Sequence, residues 1–340
     1  MNYFKSLLVV SLATFSLTAL ADAVMIRGAT VYTMGKDGIL ENTDVFISGG
    51  KIQKIGQDLP VPQDDVYVFE AEGKPLTPGF FAGITSLGIS EVSAVTQSGD
   101  SSLDLKEMRP EFNIVSAYNP NSSLIPVAQV EGITFTLLGA NSKGSLFGGQ
   151  GRLLTLNGGY ESFIGSSVLF INVGRDASSL SGNSRAGQWM LLNQAMQESD
   201  NPPASNEARL LTRNGRNTLL AYTENGMKTV FNVDRASDIL EVLRFAESYG
   251  LNAVISGGTE AWMVAEQLAN AEIPVLLNPL ANLPGNFDSL GARLDNAAIL
   301  NAAGVTVIIS GAGAHNARKQ RQMAGNTILS KWLNYSSYNI

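Results

Sequence analysis

Thr229-Val230-Phe231-Asn232-Val233, Leu251 to Ser256, Ile273 to Leu277 and Val305 to Ser310 are short apolar runs rich in β-branched residues, with helical patterns between them. Ile239, Val242, Leu243 and Ala246 follow the first run at i, i+3, i+4 and i+7, and Gly250 stops that helix. After the second run Gly257-Gly258 makes a turn, and Thr259 is placed to cap a helix reaching Ala271. Asp295 is placed to cap a helix before the fourth run. Strands that are apolar on both faces and alternate with helices belong to a parallel sheet covered on both sides.

Working back towards the N-terminus, Gly79 to Ser86, Ile133 to Leu138, Arg152 to Leu156 and Val168 to Val173 supply four more candidate strands. Eight strands favour a closed (β/α)8 TIM-type barrel over an open sheet. Residues 181 to 217 are polar and contain Pro202-Pro203, which predicts a helix followed by an exposed loop. Before Pro78-Gly79 the pattern differs. Strand-like runs at 24–26, 30–34, 44–48, 51–55 and 66–69 form a small all-β module, with Gly49-Gly50 as a two-residue hairpin turn.

The first twenty residues read as an export signal. Lys5 is the positive residue, Ser6 to Leu20 the apolar stretch, and Ala19-Leu20-Ala21 a small-x-small cleavage site, with Ala21-Asp22-Ala23 as a shifted alternative. The stretch is short for a membrane span. An uncleaved anchor is the competing reading, and the expectation is a soluble periplasmic protein. A net charge of −7, with Lys and Arg scattered, argues against nucleic acid as a partner. There is no cysteine, so neither disulfides nor thiolate zinc sites are available.

As a set, five segments resemble the amidohydrolase superfamily, and most closely its imidazolonepropionase-related, exported members. They are Leu76-Thr77-Pro78-Gly79-Phe80-Phe81, Gly132-Ile133-Thr134, Gly148-Gly149-Gln150-Gly151, Gly257-Gly258-Thr259-Glu260-Ala261-Trp262 and Ala314-His315-Asn316-Ala317-Arg318. The resemblance covers about residues 24 to 326. It implies a barrel over 77–326, a β-sandwich module over 22–76 that is half of a composite domain, and metal-assisted hydrolysis of non-peptide carbon–nitrogen bonds, behind the signal peptide that the N-terminal residues themselves predict over 1–21. The tail, 327–340, lacks the further helices and strands with which the family continues. An interrupted chain and a trimmed functional one both account for it.

The resemblance also exposes a deficit. It places a His-x-His metal pair where Ile84-Thr85-Ser86 stands, and a further histidine at Asn232. At the next strand end it meets Gly257-Gly258, and its general-base aspartate falls at Gly311-Ala312. The whole chain holds one histidine, His315, so no realignment restores the set. A catalytic zinc ion needs about three strong ligands to bring its water to a pKa near 7, and neutral amide and hydroxyl oxygens do not supply them. The expectation is a degenerate member with no resident metal and an unknown small-molecule ligand. Its oligomeric state is open. The rivals are a hydrolase with a non-standard site drawn from His315, Glu260, Asn232 and Thr85, and a periplasmic anion or solute binder.

Each candidate has a plainer reading. His315 is either a general base or a hydrogen-bonded structural group. Glu260 is either on the reactive face of the barrel or a first-turn carboxylate favoured by the helix dipole. Gly311, Gly313 and Arg318 form either an anion site at the start of a helix or a tight turn. Asp100, Asp104, Glu107 and Glu111 form a solvated acidic loop or a calcium site.

Overall fold

The computed structural model describes residues 23–329, apart from 63–64, 93–94, 96–97, 106, 143–144, 176, 205–208, 282 and 312. The signal-peptide reading and the final residues 330–340 therefore lie outside the described residues, as does Ala312. The chain divides into two compact units, one ending at Pro78 and the other beginning at Gly79.

The first unit is a five-stranded sheet: β1 (Ala23–Tyr32), β2 (Ile39–Ser48), β3 (Lys51–Gly56), β4 (Val66–Glu70) and β5 (Pro75–Leu76). β2 lies antiparallel between β1 and β3, while β4 and β5 run parallel to β1. Gly49 and Gly50 both have positive φ, +58° and +69°, as the tight turn from β2 to β3 requires. Ala29, Val31, Val45 and Ala71 form its buried core. A bulge at Gly28 interrupts the β1–β2 ladder, and the buried Asp44 mends it. Its Oδ1 accepts from Gly28 N at 2.9 Å and its Oδ2 from Leu59 N at 3.0 Å. The described residues of this unit make one sheet, and the second layer of the expected sandwich is not among them.

The second unit is built on eight strands: β6 (Phe80–Thr85), β8 (Ile133–Leu138), β10 (Phe147–Thr155), β11 (Phe163–Asn172), β12 (Lys228–Val233), β13 (Asn252–Gly257), β14 (Val275–Leu277) and β15 (Val307–Ile309). They hydrogen-bond in the order β15-β14-β13-β12-β11-β10-β8-β6. Short strands β7 (Ser102–Leu103) and β9 (Asn141–Ser142) pair with each other. The helices are α1 (Leu124–Val130), α2 (Arg185–Asp200), α3 (Arg213–Glu224), α4 (Ala236–Tyr249), α5 (Ala265–Asn270), α6 (Asn296–Ala302) and α7 (Gln320–Leu329).

The sheet is nearly a closed barrel, and its two end strands meet without a ladder among the described residues. Instead Ser310 Oγ, just past β15, accepts from Ile84 N of β6 at 3.1 Å. A Cβ on Gly83, where φ is +78°, would fall 2.3 Å from that same Oγ. The close approach needs glycine there.

All eight predicted strands are present, but one runs the other way. β10 is antiparallel to both β8 and β11. The connections 139–146 and 156–162 are under ten residues each, too short for the crossover that parallel neighbours require. The regular (β/α)8 repeat thus fails at its third strand. Gly151 lets β10 crowd its neighbour, because a Cβ there would lie 1.8 Å from Leu138 O.

Helix boundaries also differ in detail. The expected helix from Thr259 begins as a 3-10 turn, Ala261–Val264, before α5. The Thr259 hydroxyl donates to Asp234 instead of capping it. Asp295 precedes α6, but its carboxylate is held by Arg293 and caps nothing. The polar region 181–217 contains not one helix but α2 and the start of α3, separated by a loop.

Two apolar layers follow from the alternation of the strands. Leu169, Ile171, Phe231, Ile255 and Val275 face the helices and join Leu192, Tyr222, Ile239 and Val242 in one cluster. Phe170, Val230, Val254 and Leu276, the intervening residues, belong to a second cluster with Ala82, Leu138 and Leu154 inside the barrel. Burial pushes the Tyr222 hydroxyl well above its ordinary range, and it donates to Gln150 Oε1 at 3.1 Å.

Candidate functional site

Side-chain alternation that puts Phe170, Val230 and Val254 inside the barrel puts Asn172, Asn232 and Ser256, two residues on, inside it as well. These three are in register across β11, β12 and β13, with Asn172 opposite Asn232 and Asn232 opposite Ser256. They form one row at the C-terminal ends of the strands, the end where barrels of this kind place their chemistry.

A cleft of about 530 Å³ opens over this row. Asn141, Asn172, Asn232, Asp234, Ser256 and Asp288 are among the residues that line it, with Asn286 from the same loop as Asp288. The amides are chained. Asn232 Nδ2 donates to Asn172 Oδ1 at 2.8 Å, and Asn172 Nδ2 donates to Asn141 Oδ1 at 3.4 Å.

The two carboxylates are engaged to different degrees. Asp234 Oδ1 accepts from Thr259 N at 3.1 Å and from the Thr259 hydroxyl, which leaves Oδ2 unengaged. Asp288 is fully used. Its Oδ2 accepts from Arg175 N at 2.6 Å, and its Oδ1 pairs with Arg185. Arg185, from the first turn of α2, also pairs with Asp238 of α4, so one guanidinium ties the cleft loop to two helices. Burial pulls the Arg185 guanidinium down, but its bonds to Asp288 and Asp238 outweigh this and hold it above its ordinary value. Burial, with the neighbouring Asp288 charge, holds the Asp238 carboxyl above its ordinary value despite the downward pull of Arg185 and Arg235.

Of the candidate catalytic and anion-binding residues named from sequence, Asn232 lines this cleft, as does Gly257 at the next strand end. Thr85 is buried and spent on structure. Thr136 Oγ1 donates to Gly83 O at 3.0 Å, so the Thr85 hydroxyl donates to Thr136 at 2.7 Å, and Leu87 N donates back to Thr85. Glu260 is buried at the start of α4, where Oε2 accepts from Ala236 N at 3.1 Å and Oε1 from Gly291 N at 2.9 Å. The Glu260 carboxylate thus serves the N-terminus of a neighbouring helix and makes no capping bond in the turn that it opens itself.

His315 is exposed, in a 3-10 segment spanning Ala314–Lys319. It lines a cavity of about 60 Å³ with Arg318 and with Leu124, Val127 and Ala128. Gly313 precedes that 3-10 segment, so the helix start on which the anion reading rested is not an α-helix N-terminus. Gly311 is buried against Met323. Sequence reading did not single out Asn172, Asn141, Asp234 or Asp288. Asn172 and Asp234 carry the one usable signal, a polar residue at or just past the end of an apolar strand.

The resemblance drawn from the sequence implies a divalent metal at this mouth, and the described residues do not fit one. The in-register row offers two amides and a hydroxyl, and Asn232 already donates to Asn172. Among the described residues no three His, Cys, Asp or Glu side chains come together as a ligand set. The acidic loop does not make one either, since Glu107 and Glu111 both pair with Arg109. Among the described residues no helix is long and apolar enough to cross a membrane.

An α/β unit with a nearly closed eight-stranded sheet and a polar cleft at its C-terminal mouth is the general architecture of (β/α)8-type barrels. The fold is similar to that of an amidohydrolase from Thermotoga maritima MSB8, with a TM-score of 0.80 and 21% identity over 92% of this chain and 85% of that one. Alignments also extend over molinate hydrolase (TM-score 0.45, 14% identity, 92% of this chain and 78% of that one). The same holds for N-isopropylammelide isopropylaminohydrolase from Burkholderia multivorans ATCC 17616 (0.43, 13%, 93% and 86%). No family model matches the sequence, and no curated protein matches it. At 21% identity the likeness to the Thermotoga protein concerns the fold.

Proposed function

We propose that this chain is an exported member of the amidohydrolase superfamily, related to the imidazolonepropionase group, whose barrel mouth binds a small polar molecule without metal-assisted hydrolysis. The observation that carries the reading is the in-register row Asn172, Asn232 and Ser256. It occupies strand ends where hydrolysis of carbon–nitrogen bonds by a bound metal hydroxide needs imidazole and carboxylate ligands. The cleft itself is intact, and its loop is held by three charged groups, so binding outlasts the loss of the metal chemistry. In this reading the first unit is the N-terminal part of a composite β-domain, and residues 1–21 are removed on export to the periplasm.

Metal analysis of the purified protein, together with hydrolysis assays on amide and cyclic-amide substrates before and after chelation, tests the proposal. Metal well below one equivalent and no chelator-sensitive turnover are expected. Near-stoichiometric zinc lost together with hydrolytic activity overturns it. Mass spectrometry of the protein recovered from an exporting host is expected to show a chain beginning near Asp22.

A further inference from the structure

We infer that the mouth cleft selects an organic cation, a compound carrying an ammonium or guanidinium group, and this rests on the binding reading above. Hydrogen-bond direction supplies the argument. Asn232 commits its Nδ2 to Asn172, so what it leaves unengaged is the acceptor Oδ1. Two residues along the same chain, Asp234 has Oδ1 taken by Thr259 and Oδ2 unengaged. Neither of these two oxygens is a fully buried atom lacking a partner, and both residues are half-buried and line the cleft.

Among the described residues the Asp234 carboxylate makes no ion pair, its bonds being those to Thr259. Arg185 is committed to Asp238 and Asp288, and no Lys or Arg lines the cleft among the described residues. A neutral amide acceptor and a carboxylate oxygen without an ion-pair partner, both lining one cleft, suit a ligand that donates several hydrogen bonds and carries positive charge. Carboxylate and phosphate ligands meet the wrong sign. At the other end of the amide chain, Asn141 keeps its Nδ2 as a donor, which suits an acceptor further along the same ligand.

The test is calorimetry and thermal shift on the full chain with agmatine, with succinate and erythritol as the anionic and neutral probes. Agmatine is expected to bind and to raise the melting temperature, with succinate and erythritol inactive. Asp234→Asn is expected to weaken agmatine binding about tenfold or more, since a charge-assisted hydrogen bond becomes a neutral one. Asn232→Asp adds a second carboxylate and is expected to tighten it, which keeps the inference testable if Asp234→Asn does not fold. Binding of succinate or erythritol in place of agmatine, or agmatine binding indifferent to both substitutions, overturns the cation assignment and leaves the binding reading standing. Failure of all three probes also overturns it. Chelator-sensitive hydrolysis would remove the binding reading itself.

Discussion

Replacing Arg185 with Ala removes the single cation shared by Asp238 and Asp288, whose side chains are 7% and 9% exposed. Two buried carboxylates are then left close together without an ion-pair partner, and only the charge of Arg235 still draws Asp238 down. Breaking a buried ion pair from one side costs about 3–5 kcal/mol, and the 27% exposure of Arg185 lets water recover part of that. A loss of about 2–4 kcal/mol is expected, which for a unit of this size lowers the melting temperature by roughly 5–15 °C.

Urea unfolding followed by circular dichroism measures it, with the slope checked for constancy. Arg185→Lys is expected to recover little, because one ammonium does not span two carboxylates as a planar fork does. The deficit is expected to shrink at pH 4, where the stranded Asp238 carboxyl, already raised by burial, takes up a proton. The triple variant Arg185→Met, Asp238→Asn, Asp288→Asn is expected to recover much of the loss. A loss under about 1 kcal/mol for Arg185→Ala, or one unchanged by pH, refutes the reasoning.

Three further expectations concern other parts of the chain. Burial holds the Asp238 carboxyl above its ordinary value, so its contribution to stability is full below that ordinary value and is lost as pH rises through the raised one. Asp238→Asn, which does not titrate, is therefore expected to gain on the wild type between pH 4 and pH 7, and paired melting curves would show it. Gly151→Ala sets a methyl 1.8 Å from Leu138 O, so insoluble or severely destabilised protein is expected, read from soluble yield and melting temperature. Asp44→Ala leaves Gly28 N and Leu59 N without their acceptor, and a loss of about 1–3 kcal/mol is expected. Hydrogen exchange should place that loss in the first unit, with Gly28 and Leu59 protection reduced.

Much of the fold was legible because strands and helices announce themselves by period. The helix stop at Gly250 is observed with φ +62°, and the α4 residues Ile239, Val242 and Ala246 are buried as their spacing required. The direction of β10 was not legible from its own residues. It is decided by the short connections on either side, and a strand reads the same both ways.

The site was legible only in part, for a similar reason. Asn232 stood out as a substitute for a ligand, but Asn172 and Asp234 matter through register and loop contact, which no local window contains. Glu260 had two readings of equal standing until the amides of Ala236 and Gly291 were seen to occupy both its oxygens.

Seven of the eight joins in the strand ring are ladders, and among the described residues the eighth rests on the Ser310 hydroxyl and a glycine small enough to admit it. A ring fastened so unevenly should yield at its clasp before anywhere else. Ile84 is therefore the amide expected to exchange first among the barrel strands. Thermal breathing in this unit should begin as a parting of β6 from β15, with the polar mouth over β11 to β13 still intact.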